Sequence, residues 1–156
     1  MTRPHAIRIR PAKAGDLPGV LALYAQPDLD DGHILSLPKA ERIFSRFARY
    51  PDYTLYVGEQ DGRVVGSFAL LIMDNLGHLG APSAIIEDVV VDPALQGHGM
   101  GQALMHFAIA RARKKRCYKL LLSSNAKRKR AHAFYEALSF ERHGYSFRLM
   151  LEQEPA

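Results

Sequence analysis

Ile86-Glu87-Asp88-Val89-Val90-Val91-Asp92-Pro93-Ala94-Leu95-Gln96-Gly97-His98-Gly99-Met100-Gly101 decides how this chain is read. It runs from a β-rich segment through an Asp-Pro turn into alternating glycines, and an amphipathic helix follows. Alternating glycines let successive backbone N–H groups converge without obstruction by a Cβ. A helix that opens at such a turn adds its unsatisfied N–H groups and its dipole, so residues 96–101 form an anion site suited to a pyrophosphate. Two familiar phosphate loops do not fit. A P-loop needs Lys-Ser/Thr after its last glycine, and Gly101 is followed by Gln102-Ala103. A dinucleotide fingerprint starting at Gly97 meets Gln102 where glycine or alanine is needed, and one starting at Gly99 meets Leu104.

Working outward, Ile7, Ile9 and Pro11 alternate with Arg8 and Arg10 and read as a first strand. Asp16 stands as an N-cap before Leu17, Val20, Leu21 and Tyr24, and a second helix starts near Ser36-Leu37-Pro38. Residues 53–59 and 63–73 are β-rich and joined by the hairpin signal Asp61-Gly62. Residues 84–91 predict a strand. The helix after Gly101 buries Ala103, Leu104, Phe107 and Ala108. Strands follow at 118–123 and 140–151, with a helix at 130–138 between them. The expected fold is α/β: one domain over residues 1–156, with a mixed, mostly antiparallel sheet of about six or seven strands and about four flanking helices.

The 156 residues, 47% hydrophobic and 24% charged, suit one globular domain with a real core. One cysteine, Cys117, excludes an intramolecular disulfide framework, and no histidine has metal-ligand spacing. The N-terminal residues lack the apolar core of a secretory signal, and no apolar run reaches membrane-spanning length, so a cytoplasmic protein without a membrane partner is expected. The net charge is +5, and ten of the 21 Lys and Arg residues fall within 111–130. Such a patch suits a phosphate-rich cofactor, nucleic acid or a solvated face. Only Tyr118 interleaves it, which disfavours nucleic acid.

Gln96-Gly97-His98-Gly99-Met100-Gly101 resembles the Gln/Arg-x-x-Gly-x-Gly/Ala motif of the GNAT acetyltransferase superfamily. Ala131-His132-Ala133-Phe134-Tyr135-Glu136, continuing to Phe140, is similar to that superfamily's A-x-x-F-Y-E-x-x-G-F segment. Ser139 stands where the family usually has glycine, and Arg128 where it often has Asn, with Asn125 three residues earlier. The resemblance implies the acyl-CoA N-acyltransferase fold and acetyl-CoA-dependent transfer to the primary amine of a small molecule. A protein acetyltransferase, acting on an N-terminus or a lysine, and a non-catalytic CoA-binding sensor are the alternatives, and a homodimer is compatible with the family.

The resemblance also implies roles. Gln96, Gly97, His98, Gly99, Met100 and Gly101 would hold the pyrophosphate. The main chains of Val89, Val90 and Val91 would line the cofactor, with an N–H of Val89 or Val90 polarising the thioester carbonyl. Asn125, Arg128 and Phe134 would contact the cofactor's arm or phosphates. Glu87 is the candidate base and Tyr135 the candidate acid. Adjacent residues of a regular strand face opposite sides, which leaves Asp88 structural unless a bulge near Val89 changes the parity. Asp28, Asp30, Asp31 and His33 would border the acceptor and favour a cationic amine. The run from Ser124-Asn125 to Tyr135 also resembles that of aminoalkylphosphonate acetyltransferases, a hint towards small anionic amines.

Overall fold

The computed structural model describes residues 6–151; residues 1–5, on which the reading of the N-terminus partly rests, and 152–156 lie outside it. The chain falls into two compact units that divide between Leu122 and Ser123.

The first unit holds the sheet: β1 (Arg8–Pro11), β2 (Tyr53–Gln60), β3 (Arg63–Met73), β4 (Ser83–Val91) and β5 (Lys119–Leu121), side by side in that order. The first four are antiparallel, and β5 joins β4 in parallel over Ser83–Ile85 only. Its helices are α1 (Leu17–Tyr24), α2 (Leu37–Ser45) and α3 (Met100–Lys114). Asp61 and Gly62 both have positive φ, 51° and 75°, the two-residue hairpin turn that an Asp-Gly pair favours.

Pleating sorts the side chains onto two faces. Leu55, Val57 and Ala69 form one core with Leu17, Val20 and Leu21 of α1 and Ala40 of α2. On the other face Tyr56 and Phe68 stack at 5.1 Å, and Phe107 of α3 meets Tyr56 edge-on at 5.1 Å. Leu104 and Met105 are fully buried there. At Gly66 α3 comes close, because a Cβ there would lie 2.9 Å from Leu104 Cδ1 and 3.3 Å from the Val90 carbonyl. The helix therefore packs on bare backbone.

Asp16 is the N-cap residue of α1, as expected, but its side chain makes no capping bond to that helix. It ends a short 3-10 turn, Ala14–Asp16, and accepts the Lys13 N–H at 2.7 Å. Arg10 of β1 holds the same carboxylate and also Glu59 of β2, tying the first strand pair to the start of the helical layer.

The second unit contains α4 (Lys129–Ala137). No strand forms at 140–151, so the sheet has five strands among the described residues where six or seven are expected. The alternation of Tyr145, Phe147, Leu149 and Leu151 is present in the sequence, but a strand exists only where a ladder partner takes up its N–H and C=O groups. The unit supplies no such ladder, and these side chains are exposed. The strand expected at 118–123 is also shorter, limited to Lys119–Leu121. The mixed, mostly antiparallel sheet and the four helices agree with the expectation. No helix among the described residues is long and apolar enough to cross a membrane.

Candidate functional site

β4 carries the feature that organises the site. Ser67 pairs with Val90 and Ala69 with Glu87. Two steps along β3 therefore match three along β4, and Phe68 faces both Asp88 and Val89. This is a β-bulge, with Asp88 in the left-handed region at φ 52°. The bulge breaks the regular alternation of the two carboxylates. Glu87, in register with Ala69, shares the face covered by α1 and α2. Asp88 acts electrostatically on Tyr24, Tyr53 and Glu87, and Asp30 acts on it. Asp88 is thus within electrostatic reach of the groups around Glu87.

Both carboxyl groups reach solvent, yet the protein around them removes enough water to matter. Burial raises the Glu87 pKa above the ordinary range, and the neighbouring Asp88 charge adds to it. Burial raises Asp88 as well, with Asp30 second. Tyr24 is pushed far up, by burial first and then by Asp88, although it shares a hydrogen bond with the Ser67 hydroxyl. That hydroxyl in turn donates to the Tyr56 carbonyl at 2.9 Å. Tyr53 is raised by burial, Asp88 and Glu87. Each neutral form is favoured first by burial and then by the negative charge of a neighbouring carboxylate.

Beyond the bulge, the register fixes where the main chain points. Gly66 faces Val91, and the Asp92 N–H donates to the Val65 carbonyl at 2.8 Å. That bond marks Gly66–Val91 as a pair without mutual hydrogen bonds, so the N–H and C=O of Val91 point away from β3. Alternation turns those of Val90 toward β3. On the far side β5 has already ended its pairing at Ile85, so residues 86–91 present an edge with no strand beside it among the described residues.

The edge leads into the glycine turn. Asp92 accepts the Ala94 N–H at 2.9 Å and closes a short 3-10 turn, Pro93–Leu95. Gly97 and Gly99 both have φ of 80°, and a Cβ on either would meet nothing within 4 Å. Their requirement is left-handed backbone, not close approach. Gly99 is the N-cap of α3 and has no side chain to satisfy the helix's first N–H groups, and Met100 and Gly101 begin the helix itself. The His98 ring folds back, its Nδ1 lying 3.1 Å from the Gln96 carbonyl. Uncapped N–H groups at the start of a 15-residue helix, next to an open strand edge, fit a ligand with phosphates at one end and an amide-bearing arm at the other.

A hollow of about 530 Å³ lies between α1 and the Asp92-Pro93 turn, lined by Ala22, Ala25, Gln26, Arg63, Asp92 and Pro93 among others. Glu87 and Asp88 are not in its wall. It is therefore separate from the carboxylate cluster.

The remaining expected site residues lie in the second unit. Tyr135 has its phenol raised by burial and partly lowered again by Arg128. Its ring meets Phe134 at 5.3 Å and Phe140 at 6.0 Å. Asn125 spends its side-chain oxygen on the Lys127 N–H at 2.9 Å, and its carbonyl takes the Arg128 N–H and the His132 ring. At the end of α4, Ser139 adopts φ 67°, with Ser139 N–H bonded to the Glu136 carbonyl and Phe140 N–H to that of Tyr135. These are the two bonds of a Schellman cap, whose left-handed residue is usually glycine.

Sequence reasoning missed Tyr24, Tyr53, Ser67, His132 and Gln26. Each reads as an ordinary helix, strand or loop residue, and only the folded chain shows what it contacts: the register and the loop after α1 for four of them, and the turn before α4 for His132.

An open strand edge, a bulge presenting carboxylates and an uncapped helix after a glycine turn thus follow one another along β4 and into α3. The acetyltransferase (GNAT) family model matches residues 19–140, and the chain belongs to that family. It is 39% identical over 97 residues to a glucosamine 6-phosphate N-acetyltransferase from Trypanosoma brucei brucei; the match covers 62% of this chain and 64% of that relative's length. It is 31% identical over 127 residues to glucosamine 6-phosphate N-acetyltransferase 1 of Oryza sativa subsp. japonica, covering 76% and 73% of the two chains. The crystal structure of a Trypanosoma brucei acetyltransferase superposes with a TM-score of 0.81 at 32% identity, over 94% of this chain and all of that one.

Proposed function

We propose that this protein transfers an acetyl group from acetyl-CoA to the primary amine of a small molecule, and that the amine belongs to the amino-sugar phosphate class. The observation that carries the chemistry is the β4 bulge, next to the raised Glu87 carboxyl on an open strand edge that runs into the uncapped start of α3. The acceptor class rests on the two glucosamine 6-phosphate N-acetyltransferases to which the chain is similar.

When bound, acetyl-CoA supplies an activated thioester. The protein's residues do the rest. A lysine-like amine is protonated at neutral pH with a pKa about 3 units higher, so freeing it costs roughly 4 kcal/mol. Glu87 takes that proton, directly or through water, and its upward shift brings it closer to the pKa of an efficient base. Asp88 and Asp30 attract the amine while it is still a cation. The main-chain N–H of Val89, in the bulge, would donate to the donor's carbonyl where negative charge grows. Val91 main-chain groups and the turn 96–101 orient the donor. Tyr135, a phenol whose pKa burial raises further, would return a proton to the departing sulfur.

The test is thiol release from acetyl-CoA with glucosamine 6-phosphate, glucosamine and a lysine peptide in parallel. Turnover highest with the phosphorylated sugar supports the whole reading. Turnover only with the peptide would move the acceptor to protein.

A further inference from the structure

Gln26 lies just past the end of α1, and its side-chain Nε2 donates to the Val91 carbonyl at 3.1 Å, 65 residues away in sequence. A carbonyl can only accept, so the contact requires the NH2 end of the carboxamide to face it. The register shows which carbonyl this is: one that points away from β3, onto the edge where no strand follows β4 among the described residues. Gln26 is fixed from the other side too. Its own carbonyl accepts the N–H groups of Leu29 at 3.0 Å and Asp31 at 3.2 Å, so the same residue shapes the carboxylate loop after α1.

We propose that Gln26 is a positioning residue for acyl-CoA. It holds the Val91 main chain at the angle from which that edge receives the donor's amide-bearing arm, and it locks the acceptor loop to that edge. A carbonyl oxygen has two lone pairs, so one bond from Gln26 leaves the second for the arm. This inference rests on the acetyl-CoA reading above. The same peptide is held from the β3 side by the Asp92 N–H on the Val65 carbonyl, so Gln26 is its second anchor, the one that comes from the α1 side.

Gln26→Met keeps length and volume while removing the donor. Gln26→Glu places a carboxylate against the carbonyl at pH 8, whereas at pH 5 roughly one sixth of the acid is protonated at the ordinary Glu pKa and can donate again. Isothermal titration of each folded variant with acetyl-CoA, alongside wild type at both pH values, reads the effect without turnover. We expect Gln26→Met to bind about fivefold to tenfold more weakly, the loss of one neutral hydrogen bond. Gln26→Glu should bind more weakly still at pH 8 and recover toward wild type at pH 5, a recovery that a packing role would not give. Wild-type affinity in Gln26→Met, or a Gln26→Glu deficit that does not change with pH, would overturn the proposal while leaving the acetyl-CoA reading intact. Failure of the wild-type protein to bind acetyl-CoA would overturn both.

Discussion

Arg10 grips Asp16 with both arms of its guanidinium, Nη1 to Oδ2 at 2.7 Å and Nη2 to Oδ1 at 2.9 Å. Asp88, by contrast, sits among other acids. The two aspartates therefore titrate in opposite directions, and stability should follow them oppositely with pH.

The hydrogen bonds from Arg10 hold the Asp16 carboxyl below its usual pKa. A lowered acid contributes stability above its unfolded pKa and loses it as pH falls through the folded value. Arg10→Met should cost about 1–2 kcal/mol near neutrality, since the pair is only partly shielded from water. That deficit should shrink in acid, below the ordinary carboxylate range. Thermal melts of both proteins from pH 7 downward check it; a deficit unchanged by pH would assign the loss to packing alone.

Asp88 has a raised pKa, so its contribution is fully present below the unfolded pKa and disappears as pH rises through the folded one. Asp88→Asn should raise the melting temperature near pH 7, and the advantage should narrow as pH falls. A residual advantage at low pH would be the backbone share, because Asn tolerates the left-handed conformation of the bulge. Equal melting temperatures at neutral pH would contradict the crowding of charge around Asp88.

Ser139 occupies a left-handed position that glycine adopts without strain. Ser139→Gly should therefore stabilise the end of α4 by about 1 kcal/mol. Amide exchange of the Ser139 and Phe140 positions is the local readout, and faster exchange in the glycine variant would oppose the assignment.

Gly66 and Gly99 should fail for different reasons. Gly66→Ala pushes a methyl into Leu104 and toward the Val90 carbonyl, an overpacking cost of about 1–3 kcal/mol. Gly99→Ala has open space but a φ of 80°, so its cost is about 1–2 kcal/mol of backbone strain at the start of α3. In a Leu104→Ala background Gly66→Ala should cost less and Gly99→Ala the same, as unfolding in urea would show.

The glycine turn was legible because its chemistry is local: left-handed residues at Gly97 and Gly99 need no distant partner to be recognised. The Asp61-Gly62 hairpin was legible for the same reason. The bulge was not, since an extra residue in β4 is defined only against Ser67 and Ala69 of β3. The sequence could say only that Glu87 and Asp88 would share a face if a bulge intervened. Gln26 left no trace at all, because its meaning lies in a bond to a strand 65 residues on. The alternation at 145–151 misled in the reverse way, being a strand pattern without a ladder.

Glu87→Gln tests the base. It should lower kcat by about 10²-fold or more and leave the affinity for acetyl-CoA unchanged. In wild type the acid limb of kcat/KM should lie above the ordinary Glu range, because the raised carboxyl is still protonated there. A variant with wild-type kcat would remove Glu87 from the chemistry.

Isothermal titration of the purified protein with acetyl-CoA, followed in the same cell by glucosamine 6-phosphate and a thiol assay, bears most directly on the central claim. The account predicts saturable binding at one site, then thiol release that depends on the amine. Absence of binding would contradict it, and the uncapped start of α3 and the open edge of β4 would then be features of the fold alone.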